Sequence, residues 1–183
     1  MAPVLPFTTV LGSTQVILGG RKLPLQYVSN GQINAIVTYD VPANSTQQII
    51  VMNRTAISVP EQVLIAPAQP AVFAVTKPDS SNVDTNNPAH ANDVLVIYAA
   101  GLGDVNPPVV AGSAAVLSKT VNEVTVTFAG QKAVVDFAGL APGFAGLYQV
   151  NARVPSGLKP ADDVPLQLSV LGQQSSAFPI PVR

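Results

Sequence analysis

The sequence predicts an all-β chain of two tandem immunoglobulin-like β-sandwich modules, on three observations. Apolar and polar residues alternate along short runs, the period-2 pattern of half-buried strands. Seventeen prolines and thirteen glycines fall at short intervals along 183 residues, too often for a long helix to survive. One order of motifs also occurs twice, so one β module is present in two copies.

The first copy spans residues 16–65. A short apolar run turns at Gly19-Gly20 into Leu23, Leu25 and Tyr27, which alternate. Gln32-Ile33-Asn34-Ala35 and Val41-Pro42 follow, then a hairpin through Asn53-Arg54 that closes near Ile65. Residues 124–182 repeat the order: Val124, Val126 and Phe128 alternate, and a turn at Gly130-Gln131 leads into Val134-Val135-Asp136-Phe137. Gln149-Val150-Asn151-Ala152 and Val154-Pro155 echo the earlier words, and a hairpin through Gly172-Gln173 closes at Val182. Leu166, Leu168 and Val170 alternate as a strand does. Pro179 and Pro181 cannot donate to a ladder and suit an edge strand.

Between the copies, residues 76–92 are polar and turn-rich and read as a linker. The expected organisation is a first module over 1–75, with an apolar arm at 1–11, and a second module over 93–183. The second module opens on a continuous apolar strand, Asp93 to Tyr98, ended by Gly101-Leu102-Gly103. Nothing before Val16 answers to that strand, so the first module is expected to lack one edge strand. The arm stands there instead: Pro3-Val4-Leu5-Pro6-Phe7-Thr8-Thr9-Val10-Leu11. A sandwich without an edge strand exposes unpaired backbone groups and an apolar groove. Two fillings are open: the arm folds back in cis, or a neighbouring chain adds a strand in trans. Heterologous contacts of the second kind grow into filaments when their rotation does not close.

Charged residues make up only 10% of the chain, against about 25% in an ordinary domain, and the net charge is −1. No basic stripe exists to hold phosphates, so nucleic acid is not an expected partner. A neutral surface has little repulsion to keep copies apart, which favours self-association. With no cysteine, disulfides, thiolate catalysis and thiolate-bound zinc are excluded. No run approaches the roughly 20 apolar residues of a membrane helix. The opening residues carry neither the basic nor the long apolar region of a signal peptide.

Two stretches carry a family resemblance. One is Asn87 to Pro108, with its strand ending in Gly101-Leu102-Gly103; the other is Val124 to Pro155, most specifically Ala138 to Pro155. Together they resemble the Solibacter-type C-terminal domain found on large extracellular proteins of Acidobacteria, and Tyr27 to Ala35 resembles the preceding repeat of that family. Each half is more distantly similar to the IPT/TIG class of immunoglobulin-like domains. The resemblance implies an immunoglobulin-like sandwich in a secreted or surface protein and assigns no catalytic residues. The family's first repeat begins with a strand this chain lacks, and the 76–92 segment is shorter here and richer in Asp and Asn.

Candidate chemistry is sparse. His90 is the only histidine and lies in a polar segment, a poor place for a Ser–His–Asp device that needs a rigid scaffold. Asp162-Asp163, or Asp79 with Asp84, could in principle share acid–base work, but turn residues explain them as well. The acids Asp79, Asp84 and Asp93, with Asn82, Asn86 and Asn87, offer oxygen ligands for Ca²⁺ at a spacing that fits no EF-hand. Gly101-Leu102-Gly103 is too short for a phosphate loop. Asn44-Ser45-Thr46 and Asn53-Arg54-Thr55 fit the glycosylation pattern and lie in expected turns. Tyr27, Phe137 and Tyr148 sit at apolar strand positions expected in the core. Phe144, on the Gly/Pro loop from Leu140 to Leu147, is expected to plug a sandwich end or to contact a neighbouring domain.

The sequence therefore points to a non-enzymatic structural or assembly protein, outside the cell or on its surface, with no cofactor and no metal. Its sharper form is a filament subunit, with Val4, Leu5, Phe7, Val10, Leu11 and Phe144 as assembly residues. The alternative is a carbohydrate- or surface-binding accessory module of a larger secreted protein.

Overall fold

A computed structural model describes residues 4–183. Among them the chain is all-β, with antiparallel sheets and no helix, in keeping with a β-sandwich. Contacts divide it into two compact units. The first holds residues up to Pro67 together with the loops Pro108–Val116 and Pro142–Gly146; the second holds Ala68–Pro107, Leu117–Ala141 and Leu147–Arg183.

The first unit contains β1 (Thr14–Leu18), β2 (Arg21–Lys22), β3 (Leu25–Val28), β4 (Ile33–Ala35), β5 (Ser45–Asn53), β6 (Ala56–Ile57) and β7 (Glu61–Ile65). One sheet runs β2-β1-β5-β6 with β7 also on β5, and β3 and β4 make a second sheet of two strands. Alternation is strict in β1, where Thr14, Val16 and Leu18 are buried and the residues between them half-buried. Val16, Leu18, Leu23, Leu25 and Val41 form the core, with Ile33, Ala35, Ile49, Val51, Val63 and Ile65 packed against it but only half-buried.

The second unit contains β8 (Ala71–Thr76), β9 (Val94–Ala100), β10 (Val105–Asn106), β11 (Lys119–Thr120), β12 (Thr125–Phe128), β13 (Gln131–Lys132), β14 (Val134–Leu140), β15 (Tyr148–Arg153), β16 (Ala161–Val170), β17 (Gln173–Gln174) and β18 (Phe178–Val182). Its sheets are β13-β12-β16-β17, with β18 on β16, and the six-stranded β10-β11-β14-β15-β9-β8. The first of these has the same order as the larger sheet of the first unit, and β14-β15 corresponds to β3-β4. The likeness extends to fine detail. β3 bulges between Leu25 and Tyr27, and β14 between Val135 and Phe137. Gln32 Nε2 donates to Asn34 Oδ1 at 2.7 Å, and Gln149 Nε2 to Asn151 Oδ1 at 3.0 Å. Leu23 N donates to Val16 O and Ala133 N to Val126 O, both at 2.9 Å.

Burial is where the copies part. Leu166, Leu168, Val150 and Ala152 are fully buried, whereas Ile49, Val51, Ile33 and Ala35, at the same places in the first unit, are half-buried. The cause is strand number. β8 and β9 cover one side of β15, and no described strand does so for β4. The shortfall exceeds the single edge strand expected, since β8, β9 and the short β10 and β11 all lack counterparts.

Two expected boundaries also move. The strand Ala71–Thr76, all but its last residue within the range 1–75 expected for the first module, pairs with β9, and the division lies at Pro67/Ala68. Residues 77–93 join β8 to β9, so the segment expected as a linker is a loop of the second unit. Ala89 in that loop is fully buried and bridges Val182, its N–H donating to Pro181 O at 3.0 Å. Polar composition marked a loop correctly but could not tell a linker from a loop stitched to a distant strand.

Candidate assembly site

Residues 1–3 of the arm lie outside the described residues. From Val4 on, the arm is tied within its own unit. Phe7 N donates to Gly112 O and Leu25 N to Thr8 O, each at 2.8 Å, and Leu11 and Thr14 exchange backbone bonds at 3.0 and 2.9 Å. Leu11 packs against the first unit's core. Leu5 and Phe7 are half-buried, while Val4 is 71% and Val10 46% exposed. The seat of the arm is thus the outer edge of β3, in cis, and not β4.

The loops 108–116 and 142–146 fit closely to this unit. A Cβ on Gly112 would lie 2.6 Å from Pro24 Cβ, and one on Gly146 would lie 2.9 Å from Ile36 Cδ1. Both positions have positive φ, +84° and +68°, so glycine serves twice, for backbone shape and for close approach. Phe144 holds its loop through its backbone, its carbonyl accepting from Ala115 N at 2.8 Å. Its side chain is 57% exposed, so it does not act as the plug expected.

Among the described residues several strands are paired on one side only, β7 on β5 for example, and two such edges bear on assembly. β4 pairs with β3 alone, over three residues. Its counterpart β15 is flanked by β14 and β9 along six. The second edge is the outer side of β14, where β11 pairs only at Gly139. Beside it opens a cleft of about 500 Å³, whose walls include Val121, Glu123, Lys132, Val134, Asp136 and Phe137. Sequence reading passed over this edge. The signal it offered was the adjacent pair Val134-Val135, which breaks strict alternation ahead of the bulge.

The polar candidates are scattered, and turns account for most of them. Asp79 Oδ1 accepts from Ser81 N at 2.9 Å and from Ser81 Oγ at 2.7 Å, which holds its carboxyl below the ordinary aspartate value. Asp84 Oδ1 accepts from the N–H groups of Asn86 and Asn87 at 2.8 and 3.0 Å. His90 is exposed, and its backbone N–H donates to Asp93 Oδ2 at 2.9 Å. The neighbouring Thr38 hydroxyl and the Arg21 guanidinium, whose Nε lies 2.6 Å from Asp40 Oδ2, hold the Asp40 carboxyl below its ordinary value. Asp162 pairs with Arg183 and Asp163 stays exposed. No three His, Cys, Asp or Glu side chains converge among the described residues. Asn44 is exposed at positive φ (56°), while the Asn53 amide donates to Thr14 Oγ1 at 2.9 Å. Of the aromatic side chains expected in the core, Tyr148 is buried, with its hydroxyl donating to Gly103 O; Tyr27 and Phe137 are half-buried.

No protein-family model matches the chain, and no curated protein matches it.

Proposed function

We propose that the protein is a non-enzymatic structural module of two immunoglobulin-like sandwiches, working outside the cell or on its surface, that joins neighbouring chains by strand addition with its apolar arm as donor. The observation that carries this reading is the inequality of the two copies. The first repeats the strand order, the bulge and the Gln–Asn bond of the second, yet leaves β4 paired on one side and the residues packed around its small core half-buried. Unpaired strand edges over an apolar interior are templates for added strands. A neutral surface offers little charge repulsion to oppose the contact. The resemblance of Ala138 to Pro155 to a family of extracellular domains supports the location.

Deletion of residues 1–11 tests the reading. Negative-stain imaging and sedimentation of the intact chain are expected to show polymers, and the deletion variant is expected to be monomeric. Hydrogen exchange along β15 and β16 should be unchanged, reporting a folded second unit. Polymers that persist without the arm would overturn the arm as donor, and an intact chain that stays monomeric at every concentration would overturn assembly itself.

A further inference from the structure

We infer that the acceptor for the arm is the cleft beside β14 in the second unit of another copy of this chain; the inference rests on the assembly reading above and names its site. The argument comes from the repeat. Leu23 and Ala133 occupy equivalent places, shown by their identical bonds to Val16 O and Val126 O. Two residues on stand Leu25 and Val135, each followed by the same bulge. At Leu25 the chain shows what this edge binds: its N–H donates to Thr8 O of the arm. At Val135 no described strand lies on that side: β11 meets β14 only at its far end, and the residues that follow it, Val121 to Val124, stand across the cleft as its facing wall. The first unit is therefore a worked example, within the same chain, of the contact the second unit leaves open.

Backbone geometry agrees. In an antiparallel ladder, outward- and inward-directed residues alternate. Leu140 N donates outward to Ser118 O at 2.9 Å, so Ala138 also faces outward. Beyond the bulge Val135 does so too, as Leu25 does in the first unit. Val135 and Ala138 both line the cleft. The described arm from Val4 to Val10 is seven residues, or roughly 23 Å when extended, more than the edge from Val134 to Ala138 requires.

The side chains are matched as well. The cleft exposes Val121 (60%) and Val134 (62%), and the arm exposes Val4 and Val10. Val4 to Leu11 carries no charge. Three of the four charged residues at the rim are already in ion pairs, Lys132 with Glu123 at 3.4 Å and Asp136 with Arg153 at 3.0 Å, so an uncharged strand breaks none of these pairs. Pro6 lacks an N–H, which an outermost added strand tolerates. Because the arm belongs to one unit and the cleft to the other, the contact is heterologous and extends into an open chain unless its rotation closes. To make this contact the arm gives up its cis bonds at Phe7 and Thr8, so the trans contact must exceed them.

The chain has no cysteine, so single-cysteine variants report cleanly. Thr9→Cys protein is mixed with Val134→Cys protein and, separately, with Asn34→Cys protein, whose substitution lies on β4. After mild oxidation the first mixture is expected to give interchain disulfides and the second none. The double variant Val121→Lys/Val134→Lys, exposed at both positions, is expected to weaken association at least tenfold in sedimentation, with unchanged hydrogen exchange along β16. Polymers that cross-link at Asn34→Cys instead, or that tolerate the double lysine variant, would overturn the cleft as acceptor and leave assembly standing. Absence of polymers in the unsubstituted protein would overturn both.

Discussion

Four two-residue turns among the described residues have positive φ at both positions: Gly12-Ser13 (55° and 62°), Gly19-Gly20 (55° and 80°), Ala129-Gly130 (46° and 81°) and Leu171-Gly172 (50° and 77°). Such turns suit the right-handed twist of the flanking strands and favour Asn-Gly or Gly-Gly. A leucine there carries left-handed strain of about 1–2 kcal/mol. Sequence reading placed the last two turns one residue later, at Gly130-Gln131 and Gly172-Gln173, because glycine was the only local marker. The actual position follows from register: Val126 and Phe128 must both point inward, against Leu168 and Leu166. Leu171 is 52% exposed, so Leu171→Asn relieves strain at little loss of burial and is expected to stabilise the second unit by about 1 kcal/mol in chemical denaturation. At Asp79 the hydrogen bonds from Ser81 lower the folded pKa below the unfolded value. The turn is therefore fully stabilised above that unfolded value and loses the contribution as pH falls through the folded one. Hydrogen exchange at the Ser81 amide, corrected for its intrinsic pH dependence, should show protection lost only on that acid side.

At the scale of elements, β5 and β16 hold the same place in their sheets but not the same environment. Leu166 is fully buried opposite Phe178, and Ile49 is half-buried opposite Glu61. Large-to-small substitution costs most where the cavity cannot collapse or fill with water. Leu166→Ala is expected to destabilise the second unit by about 3–5 kcal/mol and Ile49→Ala the first by only about 1–2 kcal/mol. Hydrogen exchange resolved to β16 and β5 separates the two effects. Equal losses would mean that the first core is as closed as the second. The strands themselves were readable: alternation found β12 and β16, and the continuous apolar run from Val94 found β9, a strand flanked on both sides by β8 and β15. Where β3 begins was less readable, since Leu23 alternates with Leu25 yet stands outside the strand, bonded back to Val16.

For the whole molecule, the repeat anticipated from paired words is present as paired topology, down to the bulges in β3 and β14. Its inequality was anticipated as well, but understated by more than one strand. The assembly reading draws on that inequality, and its two tests work at this scale: removal of residues 1–11 asks whether the arm is the donor, and the cysteine pairs ask which edge receives it. Phe144, named from its loop as an assembly residue, is held by backbone bonds with its ring exposed, while the cleft at Val121 and Val134 was not foreseen.

Sequence alone determined the all-β class, the order of strands along each copy and the lack of any thiol, because periodicity, turn residues and composition are local properties of the chain. Tertiary structure decided that residues 68–92 belong to the second unit, that the arm bonds to β3, and that β4 and the outer side of β14 are among the edges left open. Those outcomes depend on which distant segment satisfies each backbone edge, as Thr8 does for Leu25 and Ser118 for Leu140. A strand's pattern shows that it has an edge; only the packed chain shows what lies against it.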